Sequence, residues 1–161
     1  MSLTHQLIVC ETFYSIQGEG PCVGTPAVFL RLAGCNLRCQ GFSYKDPETG
    51  VHLGCDTKKI WMHGEKRSFS SIIAHWDQEG WLDKLQQGAH LIVTGGEPLL
   101  QQAALLHFLD QLDPLQALFI EMETNASLAF LPAFLDRINH VNASPKLLNS
   151  GERRSKAYNA K

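Results

Sequence analysis

Three of the chain's five cysteines, Cys35, Cys39 and Cys55, stand in one stretch, GCNLRCQGFSYKDPETGVHLGCDT, running from Gly34 to Thr57. Three residues separate the first two and fifteen precede the third, so one loop can bring three thiolates together without a ligand from a distant strand. Four thiolates usually hold an iron–sulfur cube; three would leave one iron with an open position for a substrate or cofactor. Zinc competes, because Cys₃His sites are common and His52 lies inside the stretch. Ordinary packing competes as well, since a free thiol behaves as a small apolar group. All three readings are open on these residues alone. Cys10 and Cys22 have no ligand spacing to the trio and read as packing residues, and the seven histidines form no close pair that points to a metal.

Other residues able to do chemistry stand at the ends of apolar runs. Ala27 to Leu32 (AVFLRL) reads as a buried strand carrying one charge, Arg31, near its end. A buried guanidinium needs a carboxylate or an anionic ligand. Leu91 to Thr94 reads as a strand ending in Gly95–Gly96–Glu97–Pro98, with a helix from Leu99 to Leu112 after it. Ala117 to Met122 is the next predicted strand, closed by Glu123–Thr124–Asn125, followed by a helix from Ser127 to Ile138 with Pro132 near its first turns. Val141 to Ala143 ends at Ser144–Pro145–Lys146. Upstream, Leu7 to Cys10 is a short apolar run, Ser15 to Gly24 (SIQGEGPCVG) is too glycine-rich for a helix, and Ser70 to Gln87 has helical spacing that Gly80 splits.

Strands alternating with helices predict an α/β fold with a parallel sheet, and ligands then bind beyond the carboxyl ends of the strands. Arg31, the cysteine stretch, the Gly95–Gly96 turn, Glu123–Asn125 and Ser144–Lys146 each follow a strand, so one face of the sheet should collect them. Plain readings stand beside the functional ones: a turn with positive φ at Gly95–Gly96, an N-cap at Asn125 or Ser127, and a solvated charge at Lys146.

Composition narrows the partners. With 44% hydrophobic and 19% charged residues over 161 positions, the chain reads as one ordinary globular domain spanning 1–161. A net charge of −2 from 14 basic and 16 acidic residues carries no footprint for nucleic acid or an anionic membrane. No apolar run approaches the roughly 20 residues of a membrane span. The first residues, MSLTHQLIVCET, lack the pattern of a secretory leader, which predicts a reducing, cytoplasmic setting where cysteines more often bind metal than pair. A small-molecule substrate is the expected partner.

In their order and spacing, Phe13–Gly20 (FYSIQGEG), Pro26–Arg38 (PAVFLRLAGCNLR), Cys55–Asp56–Thr57, Val93–Pro98 (VTGGEP), Glu123–Thr124–Asn125 and Ser144–Pro145–Lys146 resemble the radical S-adenosylmethionine superfamily. More narrowly they resemble its 7-carboxy-7-deazaguanine synthase family. The resemblance implies a partial (β/α) barrel of the radical SAM type with a mostly parallel sheet, shortened at the C-terminus, because family members continue through another strand and helix. It implies a [4Fe-4S] cluster on Cys35, Cys39 and Cys55, whose open iron chelates S-adenosylmethionine, with reductive cleavage of the sulfonium to methionine and a 5′-deoxyadenosyl radical. Gly96, Ser144, Pro145 and Lys146 would contact S-adenosylmethionine. Ile16, Gln17, Gly18, Arg31 and Thr94 would bind the substrate, Arg31 through its planar fork on a carboxylate. Thr57 would ligate Mg²⁺, with Asp56 the alternative neighbour.

The family's reaction converts 6-carboxy-5,6,7,8-tetrahydropterin to 7-carboxy-7-deazaguanine with loss of ammonia, in 7-deazapurine (queuosine-type) biosynthesis. An electron donor such as flavodoxin or ferredoxin and a homodimer are further implications. The alternatives are a non-catalytic zinc-binding module built on the cysteine loop, and a radical activating enzyme. Relative to the superfamily spacing, the insert Gln40–Gly54 is expected to bulge outward as a loop, at a closure cost of about 0.6 kcal/mol per doubling of length. The polar tail Leu147–Lys161 is expected to be partly disordered.

Overall fold

The computed structural model describes residues 5–115 and 117–157. A six-stranded sheet organises them, in the order β5-β1-β2-β6-β7-β8. Its strands are β1 (Gln6–Ile16), β2 (Pro26–Leu32), β5 (Glu65–Ser68), β6 (His90–Gly95), β7 (Ile120–Thr124) and β8 (His140–Ala143). From β2 to β8 every pairing is parallel. β1 runs antiparallel to both of its neighbours, β2 and β5. The sheet is thus mostly parallel but mixed, and it does not close into a barrel.

Side-chain alternation explains both faces. In β2, Val28, Leu30 and Leu32 point to the helical side, where they join Leu7, Val9, Leu91, Val93, Ile120 and Met122 in the main core. The core is completed by α2 (Phe69–Gln78), α3 (Trp81–Gln86) and α4 (Gln102–Asp110), which supply Phe69, Trp76, Leu85 and Phe108. The alternate residues Ala27, Phe29 and Ile92 form a second, small apolar patch with Phe13 on the other face. Beyond that patch the same face turns polar at Arg31, Thr94, Glu121 and Glu123. A strand buried on both faces reads as a continuous apolar run, which is why β2 looked uniformly hydrophobic.

Several expectations are corrected. β1 continues through Ile16, two residues into the segment read as loop, because its pairing with β2 runs to Ile16–Pro26. β5 was not expected; its sequence, EKRS, carries no apolar signal and the strand exists by pairing with β1. The strand predicted at Ala117–Met122 lies at Ile120–Thr124. The helix expected over Ser127–Ile138 shrinks to α5 (Pro132–Leu135), with Pro132 in its first turn. Asn125 and Ser127 cap no helix: Asn125 Oδ1 accepts from the Ser127 N–H at 3.0 Å, closing a local turn. The split at Gly80 is present, with φ 70° between α2 and α3.

The insert is ordered. β3 (Tyr44–Lys45) and β4 (His52–Gly54) form a small antiparallel hairpin, followed by the short helix α1 (Lys58–Trp61). Buried Asp46 closes it: Oδ1 accepts from the Glu48 and Thr49 N–H groups and Oδ2 pairs with Lys59 at 3.1 Å. Those backbone N–H groups, with Lys59, hold the Asp46 carboxyl down at about 2. The described part of the tail is ordered too. A 3₁₀ turn (Leu148–Ser150) and the short helix α6 (Arg154–Ala157) dock on the cysteine stretch, where the Gly41 N–H donates to Ser150 O at 2.8 Å. Residues 158–161 of the tail expectation, and 1–4 of the leader expectation, lie outside the described residues. No helix among the described residues is long and apolar enough to cross a membrane.

Candidate functional site

At the carboxyl ends of the parallel strands, on the polar face, lies a cavity of about 500 Å³, within the size range of small-molecule sites. Cys35, Cys39 and Cys55 all line it, together with Gln17, Gly18, Arg31, Thr57, Thr94, Gly96, Ser144 and Lys146. Of the residues expected from sequence, Ile16 and Pro145 are not on its wall; the Ile16 side chain is exposed at the end of β1.

The sheet register builds the deep wall. Arg31 pairs with Thr94 across β2 and β6, so both side chains emerge on one level. Thr94 Oγ1 donates to Glu123 Oε2 at 2.6 Å, and Gln17 Nε2 donates to Glu121 Oε2 at 3.1 Å. Arg31 has a structural partner as well as a cavity position. Its Nε donates to Glu11 Oε1 at 2.8 Å, and the guanidinium lies over Phe13 at 5.7 Å. Nη1 and Nη2 make no hydrogen bond among the described residues, which leaves the outer edge of the fork for an anion.

Glu97 was not singled out in the sequence, yet it ties two of the motifs together. Fully buried, it accepts from Thr124 Oγ1, the Asn125 N–H at 2.8 Å and the Leu99 N–H at 3.0 Å. Burial pushes its carboxyl above the ordinary range, against the pull of those donors. Its only sequence signal was its place in GGEP. Gly96, beside it, has no room for a side chain: a Cβ would overlap the Gly34 carbonyl and Cys35 Cβ. The close approach demanding glycine there is therefore to the cysteine stretch itself, reinforced by the Glu97 N–H donating to Gly34 O at 2.8 Å.

The cysteines sit in unequal settings. Cys39 is buried with a left-handed φ of 40°, and burial pushes its thiol up to about 11. Burial also raises Cys35, whose Sγ accepts from the Leu37 N–H at 3.4 Å and faces Asn125 Nδ2 at 3.8 Å. Cys55 Sγ lies 3.3 Å from Thr57 Oγ1, and Asp56 Oδ1 accepts from the Thr57 N–H at 2.9 Å. The tail fastens the loop: Glu152 Oε1 accepts from the N–H groups of Arg38 and Cys39, the latter at 2.9 Å. Against the upward push of partial burial, those N–H groups hold Glu152 below the ordinary carboxylate range.

The three sulfurs do not all lie within 4.8 Å of one another. One tetrahedral zinc with sulfur at about 2.3 Å needs sulfurs about 3.8 Å apart, so the trio as it stands is not drawn together around a single ion. Among the described residues the one His/Cys/Asp/Glu trio within that limit is Cys22, His90 and Glu121. Cys22, read from sequence as a packing residue, stands beside His90 and Glu121. Its distance in sequence from His90 and Glu121 hid the grouping.

The structure thus joins a mostly parallel α/β sheet to three cysteines that line one cavity at its strand ends. The solved QueE protein of Escherichia coli shares the fold, with a TM-score of 0.58 at 23% identity, over 86% of this chain and 70% of that one. By sequence the chain is similar to 7-carboxy-7-deazaguanine synthases. It is 38% identical over 155 residues to that of Pyrobaculum aerophilum, covering 94% of this chain and 60% of the relative. To that of Hyperthermus butylicus it is 37% identical over 152 residues, covering 90% and 54%. To that of Burkholderia multivorans it is 36% identical over 146 residues, covering 86% and 62%. The chain thus spans about three fifths or less of the length of these relatives. No family model matches it.

Proposed function

We propose that this chain is a cytoplasmic radical S-adenosylmethionine enzyme that converts 6-carboxy-5,6,7,8-tetrahydropterin to 7-carboxy-7-deazaguanine with loss of ammonia, in 7-deazapurine biosynthesis. The observation that carries the reading is the gathering of Cys35, Cys39, Cys55, Arg31, Thr94, Ser144 and Lys146 around one cavity. The donor set fits the group: the three cysteines line one cavity and are the thiolate ligands that iron–sulfur clusters take. In this reading Cys35, Cys39 and Cys55 hold a [4Fe-4S] cluster as thiolates, and Gly96, Ser144, Pro145 and Lys146 hold S-adenosylmethionine. Together these cofactors supply one-electron cleavage chemistry that permits hydrogen-atom abstraction from the substrate.

The chain's own residues bind, orient and shield. Arg31 presents its free Nη edge to the substrate carboxylate while Glu11 fixes the other side of the guanidinium. Thr94 and Glu123, joined at 2.6 Å, place a hydroxyl and a carboxylate against the ring system. Gln17 and Gly18 contribute backbone contacts from the wall, and Ile16, outside it, leads the chain into them. Thr57, with Asp56 beside it, supplies oxygen to Mg²⁺, a hard cation that keeps most of its waters. A flavodoxin- or ferredoxin-type donor and a homodimer complete the proposal.

Anaerobic reconstitution with iron and sulfide tests it, followed by incubation with carboxytetrahydropterin, S-adenosylmethionine, Mg²⁺ and reductant. The expected result is a brown protein with about four irons per chain that forms 7-carboxy-7-deazaguanine. A cluster without deazaguanine would favour a radical activating enzyme. Zinc in place of iron, with no visible absorption, would leave only a zinc-binding module.

A further inference from the structure

Behind Gln17 and Asn142, which line the cavity and donate to Glu121, is a second group of metal-ligating side chains that the proposed reaction does not use. We propose that Cys22 Sγ, His90 Nδ1 and Glu121 Oε1 bind one divalent transition-metal ion of the zinc class, separate from the cysteine trio. The three residues come from the β1–β2 loop, the start of β6 and the middle of β7. Their ligand atoms all lie within 4.8 Å of one another.

Glu121 supplies the electrostatic reason. Its side chain is fully buried, and among the described residues no Lys or Arg pairs with it; His90 Nδ1 lies 2.6 Å from Oε1. A buried carboxylate is costly without compensation; neutral amides meet Oε2, and among the described residues Oε1 has the His90 nitrogen alone. A divalent ion on Oε1 supplies that compensation. The donor types select the metal: thiolate, imidazole and carboxylate are zinc's ligands, whereas magnesium and calcium take oxygen alone.

The surroundings are arranged as outer support for such a site. Glu121 Oε2, the oxygen facing away from His90, accepts from Gln17 Nε2 and Asn142 Nδ2, each at 3.1 Å, which orients the carboxylate. The His90 ring is stacked on Phe119, 4.1 Å between centroids at 22°. The β1–β2 loop carrying Cys22 is closed at its base by Gln17 and Thr25 (N–H to O 2.8 Å) and by Gly24 and Gln17 (2.8 Å). It packs so close to β8 that a Cβ on Gly20 would overlap the Asn142 side chain. Three protein ligands leave a fourth position for water or a small ligand. The ion would pin this loop to the sheet and hold Gln17 at the cavity floor.

The test uses the full chain with Cys35, Cys39 and Cys55 all changed to Ser, so the first site cannot report. Zn²⁺ is titrated against a colorimetric chelator, and Co²⁺ is added as a spectroscopic probe. One equivalent should bind, with a thiolate-to-cobalt charge-transfer band. On that background Cys22→Ala should abolish the band, and Asn142→Ala should weaken binding about ten- to a hundredfold, the usual cost of losing an outer-shell partner. Absence of stoichiometric binding, or equal binding after Cys22→Ala, overturns the proposal. Should the triple variant not fold, the natural chain and Cys22→Ala are compared directly. Cys22→Ala should lose one equivalent of zinc and keep the iron content of the reconstituted protein, and no loss of zinc overturns the proposal equally.

Discussion

The two walls of the cavity are held in place by different physics. The strand-end wall, with Arg31, Thr94, Glu97 and Glu123, is set by parallel register and a buried hydrogen-bond network, so each side chain inherits its position from the sheet. The cysteine wall is a loop fastened from outside, by Glu152 of the tail on one side and by the Asp46 hairpin on the other. Where the two walls meet, Gly96 and Glu97 pack on Gly34 and Cys35. Damage to the buried network around Glu97 should therefore destabilise the molecule, whereas damage to the cysteine wall should loosen or empty the site while the fold survives.

The sharpest way to break this contrast is Cys35→Ala. Product formation should fall to background and reconstituted iron should be lost, while the melting temperature of the metal-free protein stays within a few degrees of the natural chain. A large loss of stability, read by circular dichroism, would mean that the cysteine wall is part of the core after all.

Glu97→Ala should do the opposite. It strands the Thr124 hydroxyl and the Leu99 and Asn125 N–H groups, each buried donor costing about 1–3 kcal/mol. A loss of about 3 kcal/mol overall should lower the melting temperature by about 10 °C for a domain of this size.

Arg31→Lys keeps the charge but removes the planar fork. With one or two charge-assisted bonds lost at about 1.5–3 kcal/mol, KM for the carboxylated substrate should rise roughly 10- to 100-fold with little change in melting temperature.

Glu152→Gln should have the smallest effect. The ion's site is largely solvent-screened, so amide exchange at Arg38 and Cys39 should quicken only about two- to fivefold, with the strand amides unchanged. The pH sign follows from the depressed carboxyl. Its contribution is fully present above the unfolded value of about 4.3 and fades as pH falls through the lower folded value, so the protection factors of those two amides, corrected for the intrinsic slowing of exchange in acid, should fall on acidification of the natural chain. In Glu152→Gln that pH step should vanish.

Much of the strand-end wall was legible because it is written in contiguous residues. A strand, its terminal charge and the following turn lie next to one another in sequence, and parallel topology then sends every such terminus to one face. The same locality explains the misses. The polar strand Glu65–Ser68 has no apolar pattern and exists through pairing with β1. The hairpin in the insert is made by one buried aspartate rather than by hydrophobic alternation. The helix expected after Asn125 is pre-empted by the side-chain turn between Asn125 and Ser127.

For this protein, residue order alone determined the candidate chemistry: three cysteines, a glycine turn and the strand ends that converge on them. Sulfur spacing, hydrogen bonding and burial belong to the tertiary structure. Only there do the three cysteines gather on one cavity, the tail become the clamp on Cys39, and Cys22, His90 and Glu121 become neighbours. The reason is physical. Motifs record what the backbone does over a few residues, whereas contacts between side chains tens of residues apart follow from strand register and loop packing, which no local spacing contains.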